Sequence, residues 1–135
     1  MSDPGSTAGG LDDRHRQLDD ALAAVGSSLG RCDYAGARRR LAGFDADLDR
    51  HIRREEQLLF PVYELAAGSA AATTRMRHEH GRIRRLARAL DGALADGDAS
   101  EGSDVLDALR SVLALHFTKE DWVIYPVTAT AMAPG

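Results

Sequence analysis

Four histidines and two glutamates are spaced in a way that suits them to hold metal ions. His51 and Glu55 stand four residues apart, and so do His116 and Glu120. On a helix, such a pair leaves one face a turn apart. Imidazole and carboxylate are donors that iron, manganese and zinc all accept. Each pair opens a longer stretch, His51-Ile-Arg-Arg-Glu55-Glu56-Gln-Leu-Leu-Phe60-Pro61 and His116-Phe-Thr-Lys-Glu120-Asp121-Trp-Val-Ile-Tyr125-Pro126, and the two lie 65 residues apart. The same step carries His15 onto His80. The chain therefore reads as a doubled unit, a histidine-bearing segment followed by a His-x-x-x-Glu segment. Two such units facing each other could bind metal between them.

Helices must position these side chains. Leu11, His15, Leu18, Leu22, Val25 and Leu29 step by three and four, the seam of an amphipathic helix. After a break at residues 30–36, the seam resumes with Leu41, Phe44, Leu48, His51, Glu55, Leu58 and Val62. A third seam runs Met76, His80, Ile83, Ala87, Leu90 and Leu94. A break around Gly97 and Gly102 precedes a fourth, which runs Leu106, Leu109, Leu113, His116, Glu120, Val123 and Val127. Pro61 lacks the amide that the Gln57 carbonyl would use, so the second helix should kink or loosen one to two turns beyond Glu55; Pro126 repeats this in the fourth. Short connections between helices of this length predict an all-α, up-down-up-down antiparallel four-helix bundle with an internal two-fold repeat of helical hairpins. Residues 1–10 carry linker residues and are expected to form a disordered tail, with the bundle spanning 11–131.

His15, His51, Glu55, His80, His116 and Glu120 all occupy core seams. One seam histidine alone would read as a hydrogen-bonded core residue, and one buried glutamate as an arginine partner. Six together would cost several kcal/mol per charged group, about the penalty of unpaired buried charge, and a pair of cations would offset it. Without cations, the two carboxylates are expected to relieve their repulsion by taking up protons. His78 should lie on the surface; Glu79 should be in solvent, with a place just outside the ligands or as a further ligand the alternative; Glu56 and Asp121 should lie in solvent or just outside the ligands, with ligation the alternative. For Tyr63 and Tyr125 core packing is the first expectation, with reach to the site as a hydrogen-bond donor or phenolate the alternative. Arg75, Arg77, Arg82, Arg84, Arg85 and Arg88 read as a solvated face.

Composition sets the outer limits. With 135 residues, 44% apolar and 28% charged, the chain is one domain that can bury a core without a staple. Cys32 is its single cysteine, which excludes a disulfide framework or thiolate cluster within the chain. A net charge of −4 gives no general attraction to nucleic acid or anionic lipid. Neither a basic-then-apolar leader nor an apolar run of about 20 residues is present. A cytoplasmic protein, monomeric or weakly dimeric, with no nucleic-acid or membrane partner is expected.

The pattern H…HxxxE…H…HxxxE, closed in each half by Phe60-Pro61 and Tyr125-Pro126, resembles the hemerythrin-like, or HHE cation-binding, domains over residues 11–131. The resemblance implies two iron ions bridged by oxo or hydroxo and by carboxylates. His15, His51, His80 and His116 would be the nitrogen ligands, and Glu55 and Glu120 the bridging carboxylates. Oxygen-carrying members have a further histidine where this chain has Met76, and an aspartate at the spacing of Asp121; Glu120 fits the alternative, actinobacterial and iron-sensing pattern. The repeat suggests that each iron takes one histidine from each helix of a hairpin and shares both glutamates, which leaves open positions on both. The expected function is a non-haem di-iron oxidoreductase acting on a small oxidant, with hydrogen peroxide breakdown foremost. The alternatives are a module that binds or senses iron, dioxygen or nitric oxide, disfavoured because no appended output domain is evident, and a bundle with adventitious zinc.

Overall fold

Asp33 and Asp98 start the two helices that carry the histidine-glutamate pairs. Asp33 Oδ1 accepts the Gly36 amide at 2.9 Å and Asp98 Oδ1 accepts the Glu101 amide at 3.0 Å, each satisfying an amide left free by a helix's first turn. The residue before each cap turns the chain through left-handed backbone, Cys32 at φ 56° and Gly97 at φ 66°. Glycine adopts that geometry freely, whereas a residue with a Cβ does so at a cost of about 1–2 kcal/mol.

The computed structural model describes the backbone of residues 6–134 and the side chains of residues 13–134. Its elements in order are α1 (Ser6–Gly30), α2 (Tyr34–Arg54), a π-helical turn (Glu55–Leu59), α3 (Phe60–Ala67), α4 (Ala71–Ala95), α5 (Ala99–Lys119), a second π-helical turn (Glu120–Ile124) and α6 (Tyr125–Met132). Every boundary in the second half lies 65 residues after its counterpart in the first. α1 packs on α2 and α5, α4 packs on α5 and α2, and α3 meets α6. This is the expected four-helix bundle, its second and fourth rods each built of two α-helices joined by a π turn. α1 begins at Ser6, ahead of the expected Leu11, since extending a helix adds a hydrogen bond for each residue fixed. The rest of the expected tail, residues 1–5, lies outside the described residues.

The π turns correct the expected seams. In the first, the Phe60 amide bonds the Glu55 carbonyl, five residues back, and in the second Tyr125 does the same to Glu120. The loosening thus begins at the glutamate itself. Pro61 and Pro126 follow at once, in the first turn of α3 and α6, where a missing amide does least harm. A π turn accommodates one extra residue, so the inward face beyond it slips by one. Leu58 and Val123, expected inside, are 40% and 45% exposed, while Leu59, Phe60 and Tyr63 on one rod and Ile124, Tyr125 and Thr128 on the other are buried.

Two apolar clusters result. The larger fills the bundle from Leu22, Val25, Leu41 and Phe44 to Ile52, Ile83, Leu113 and Phe117. The smaller joins Leu59, Phe60, Tyr63, Met76, Ile124 and Tyr125. Burial of these side chains contributes roughly 1.5–3 kcal/mol each. Surface pairs such as Arg84 Nη1–Asp49 Oδ1 at 3.1 Å add about 0–1 kcal/mol. No described helix is long and apolar enough to cross a membrane.

Candidate metal centre

Between the two apolar clusters lies a polar layer. His15 comes from α1, His51 from α2, Glu55 from the first π turn, His80 from α4, His116 from α5 and Glu120 from the second π turn; all six are buried, both glutamates completely. The structure brings them together in two groups, His15-His51-Glu55-Glu120 and Glu55-His80-His116-Glu120, each able to offer ligand atoms within 4.8 Å of one another. Both carboxylates belong to both groups.

The imidazoles turn Nε2 inward. His51 Nε2 lies 3.1 Å from Glu55 Oε2, His80 Nε2 2.9 Å from Glu55 Oε1, His116 Nε2 3.0 Å from Glu120 Oε2, and His15 Nε2 3.2 Å from Glu120 Oε1. Three of the outward Nδ1 atoms meet a carboxylate: His15 faces Asp121 at 3.2 Å, His80 faces Glu56 at 2.7 Å, and His116 faces Glu79 at 2.8 Å. Such partners orient a ligating imidazole and increase its basicity. Asp121 and Glu56 therefore lie just outside the inner six. Glu79 is not in solvent as expected; it bridges His116 and Lys119 Nζ, the latter at 2.5 Å. His78 is exposed, as its place on α4 predicts.

Tyr125 is the residue that seam reasoning undervalued. Carried inward by the second π turn, its hydroxyl donates to Glu55 Oε2 and lies 3.1 Å from Glu120 Oε1, 3.1 Å from His15 Nε2 and 3.4 Å from His51 Nε2. Its counterpart in the repeat is Phe60, whose ring stacks on His80 with centroids 5.5 Å apart. Tyr63 packs in the smaller apolar cluster instead, beside Met76. Against the inner six, the two halves of the site thus differ by one phenol. A sequence signal existed: both motifs end in an aromatic residue before proline, and only the second of these, Tyr125, carries a hydroxyl.

Charge is shared unequally across the layer. Burial weakens the basicity of His51 more than any other single influence, yet Glu120 and Glu55 together lift its pKa to about 9. His80 is lifted against the same penalty to about 10 by Glu120, Glu55 and Glu56. Burial opposes protonation of His116 most, and the neighbouring His80 adds to this, yet Glu120 and Glu79 raise its pKa as well. Burial favours protonation of Glu120, but contacts with Glu55, His116, His15 and His51 outweigh it and hold the carboxyl well below its usual range. For Glu120 the direction is opposite to the expected relief by carboxyl protonation: the hydrogen bond with Glu55 first, then those with His116, His15 and His51, favour its ionised form. Tyr125 is pushed far up, first by burial and then by the two carboxylates, and stays a neutral phenol.

Several features suit a metal better than protons alone. His80 Nε2 and His116 Nε2 face each other at 3.1 Å, where two protonated rings repel and two neutral rings compete for one proton. Glu55 Oε1 is buried without a well-formed hydrogen bond, an arrangement that costs about 1–3 kcal/mol. Lone pairs from four imidazoles and two carboxylates converging on two points are a donor set that fits divalent and trivalent cations.

Comparison with curated proteins and with solved structures finds no match to either. The model of one protein family, the hemerythrin HHE cation binding domain, matches residues 8–128. The doubled His-x-x-x-Glu motif, the buried layer of imidazoles and carboxylates and all of the rods but the two ends of the fold fall within that span, and the chain belongs to the hemerythrin HHE cation-binding domain family.

Proposed function

We propose that the chain is a non-haem di-iron protein that breaks down hydrogen peroxide, with His15, His51, Glu55 and Glu120 holding one ion and Glu55, His80, His116 and Glu120 the other. The observation that carries the reading is the pair of ligand groups sharing both buried carboxylates, six donors for two ions. When bound, iron would polarise the oxygens of peroxide and exchange electrons with it. Disproportionation turns two H2O2 into two H2O and one O2, so protons must be held and passed without net gain.

Tyr125 supports that part. Its hydroxyl keeps its proton at neutral pH and lies against Glu55, Glu120, His15 and His51. It can hand the proton to a departing oxygen and recover one from the next peroxide. Met76 supports turnover over reversible oxygen carriage. It is buried in the apolar cluster beside Tyr125, so α4 supplies a thioether where an oxygen carrier has a further imidazole.

Protein from iron-supplied cells should contain about two irons per chain and release oxygen from peroxide faster than the same concentration of free iron. Glu120→Ala should lose both ions, because the carboxylate belongs to both groups. One metal per chain, or zinc in iron-replete cells, counts against the di-iron reading. Reversible uptake of dioxygen on cycling the gas pressure, with no oxygen release from peroxide, replaces the enzyme by a binding module.

A further inference from the structure

The 65-residue repeat fails at a second point beside the metal centre. Over His116, Glu79 accepts from Nδ1 at 2.8 Å and pairs with Lys119 at 2.5 Å. The corresponding positions over His51 are Arg14 and Arg54. A carboxylate and an ammonium on one side are thus two guanidiniums on the other. Neither Arg14 nor Arg54 makes an ion pair with any described residue. Between them opens a cavity of about 300 Å³ lined by Arg14, Gln17, Asp47, Arg50, His51 and Arg54. Asp47, the acid on that wall, is engaged by Arg50. His51 itself is only 6% exposed, and its Nδ1 is the buried ring nitrogen that faces no carboxylate at all.

With Nε2 turned to Glu55 and Glu120, His51 presents Nδ1 as an N–H donor. A buried donor without an acceptor costs about 1–3 kcal/mol. Guanidinium groups on either side offer the fork geometry that oxyanions take. We propose that this cavity binds a small oxyanion, a carboxylate or a phosphate, which fills over His51 the place that Glu79 fills over His116. One oxygen accepts the His51 Nδ1 hydrogen, and the rest of the anion, one oxygen of a carboxylate or several of a phosphate, bonds Arg14 and Arg54. The volume admits an anion of a few heavy atoms together with its waters. Bound there, it gives the fourth outward Nδ1 an oxyanion such as the other three already face and makes His51 a stronger nitrogen donor. The site would thus be tuned from outside the chain on one half and from within it on the other. None of this depends on peroxide turnover.

The test titrates the purified, metal-loaded protein with acetate and with phosphate at constant ionic strength held by chloride. Heat of binding and the ¹⁵N shift of the His51 ring are followed, with no peroxide present. Saturable one-to-one binding of either anion, with the His51 nitrogen shifting along the isotherm, is expected; which anion binds tighter decides between the carboxylate and phosphate classes. Arg14→Glu builds in the internal carboxylate of the other half and should weaken binding by about tenfold or more. Arg54→Ala should weaken it in the same direction, whereas Arg16→Glu, an equal charge change on an exposed arginine of α1 outside the cavity, should not. Absence of saturable binding of both anions overturns the proposal. So does Arg14→Glu and Arg54→Ala binding as tightly as the parent, which would put the anion elsewhere, for instance on the metals. Loss of peroxide turnover with anion binding intact would count against the enzyme reading alone.

Discussion

Tyr125 and Phe60 differ by one oxygen, and that oxygen separates the two halves of the centre. The phenol satisfies Glu55 and Glu120 in a layer with few protons to spare. Tyr125→Phe should therefore destabilise the metal-free protein by about 1–3 kcal/mol, the cost of leaving buried carboxylate oxygens without their donor; urea denaturation measures it. The same variant should still bind metal, since all six inner donors remain, while oxygen release from peroxide falls by about 10²-fold, a usual magnitude for a positioned proton donor. Unchanged turnover in a fully loaded Tyr125→Phe protein would remove Tyr125 from the reaction and leave it a packing residue.

At the scale of elements, the π turns decide which side chains face the layer. Trp122 is 79% exposed, so its own packing contributes little. Deleting it removes the extra residue, so the second π turn should close to α-helical register with Ile124 and Tyr125 still facing the core, and metal content should hold. Inserting an alanine after Trp122, which adds a second extra residue, should instead turn Ile124 and Tyr125 away from the core, cost about 2–5 kcal/mol, that of emptying a core position, and lower metal content. Equal effects of deletion and insertion on thermal unfolding and metal content would contradict the register account. The turn before α2 makes a smaller prediction. Cys32 occupies left-handed backbone where its counterpart Gly97 stands, so Cys32→Gly should leave the site intact and raise stability by up to about 1 kcal/mol, strain relief minus the added freedom of the unfolded chain. Thermal unfolding reads the sign.

For the whole molecule, protons and metal compete for one polar layer, and this links stability to pH. His51 and His80 have raised pKa values, so the stability they contribute is full below the unfolded value near 6.5 and is lost as pH rises through about 9 and about 10. Glu120 is lowered, so its contribution is present above the unfolded value of about 4.3 and is lost only as pH falls through its lower folded value. The metal-free bundle should thus be most stable between roughly pH 4.5 and 6.5 and should weaken by on the order of a few kcal/mol toward pH 10. Loaded protein, whose cations replace those protons, should lose less, and the gap between the two forms should widen with pH. At pH 7, metal uptake should release about two protons or more, those of His51 and His80 among them, seen as heats that depend on the buffer's ionisation enthalpy. A metal-free protein that gains stability from pH 6.5 to 9 would refute this proton placement.

The helices, their order and the six polar seam residues were legible in the sequence because each rests on local spacing. Apolar residues three and four apart mark a helix face whatever surrounds it, short breaks force neighbouring helices antiparallel, and a motif repeated after 65 residues places His15, His51 and Glu55 in one half against His80, His116 and Glu120 in the other. The slip at Glu55 and Glu120 was not legible. Pro61 and Pro126 announced a disturbance, but an α-helix can meet a proline by kinking, ending or widening, and the choice depends on which register buries Phe60 and Tyr125 rather than Leu58 and Val123. Glu79 was legible only as the second alternative, for a related reason. Its link to His116 crosses from α4 to α5, and its repeat counterpart is Arg14, so no local pattern or internal symmetry raised it above a place in solvent. Side-chain identity and period follow from the chain alone; which nitrogen meets which carboxylate depends on distances between helices, and those exist only after the bundle has packed.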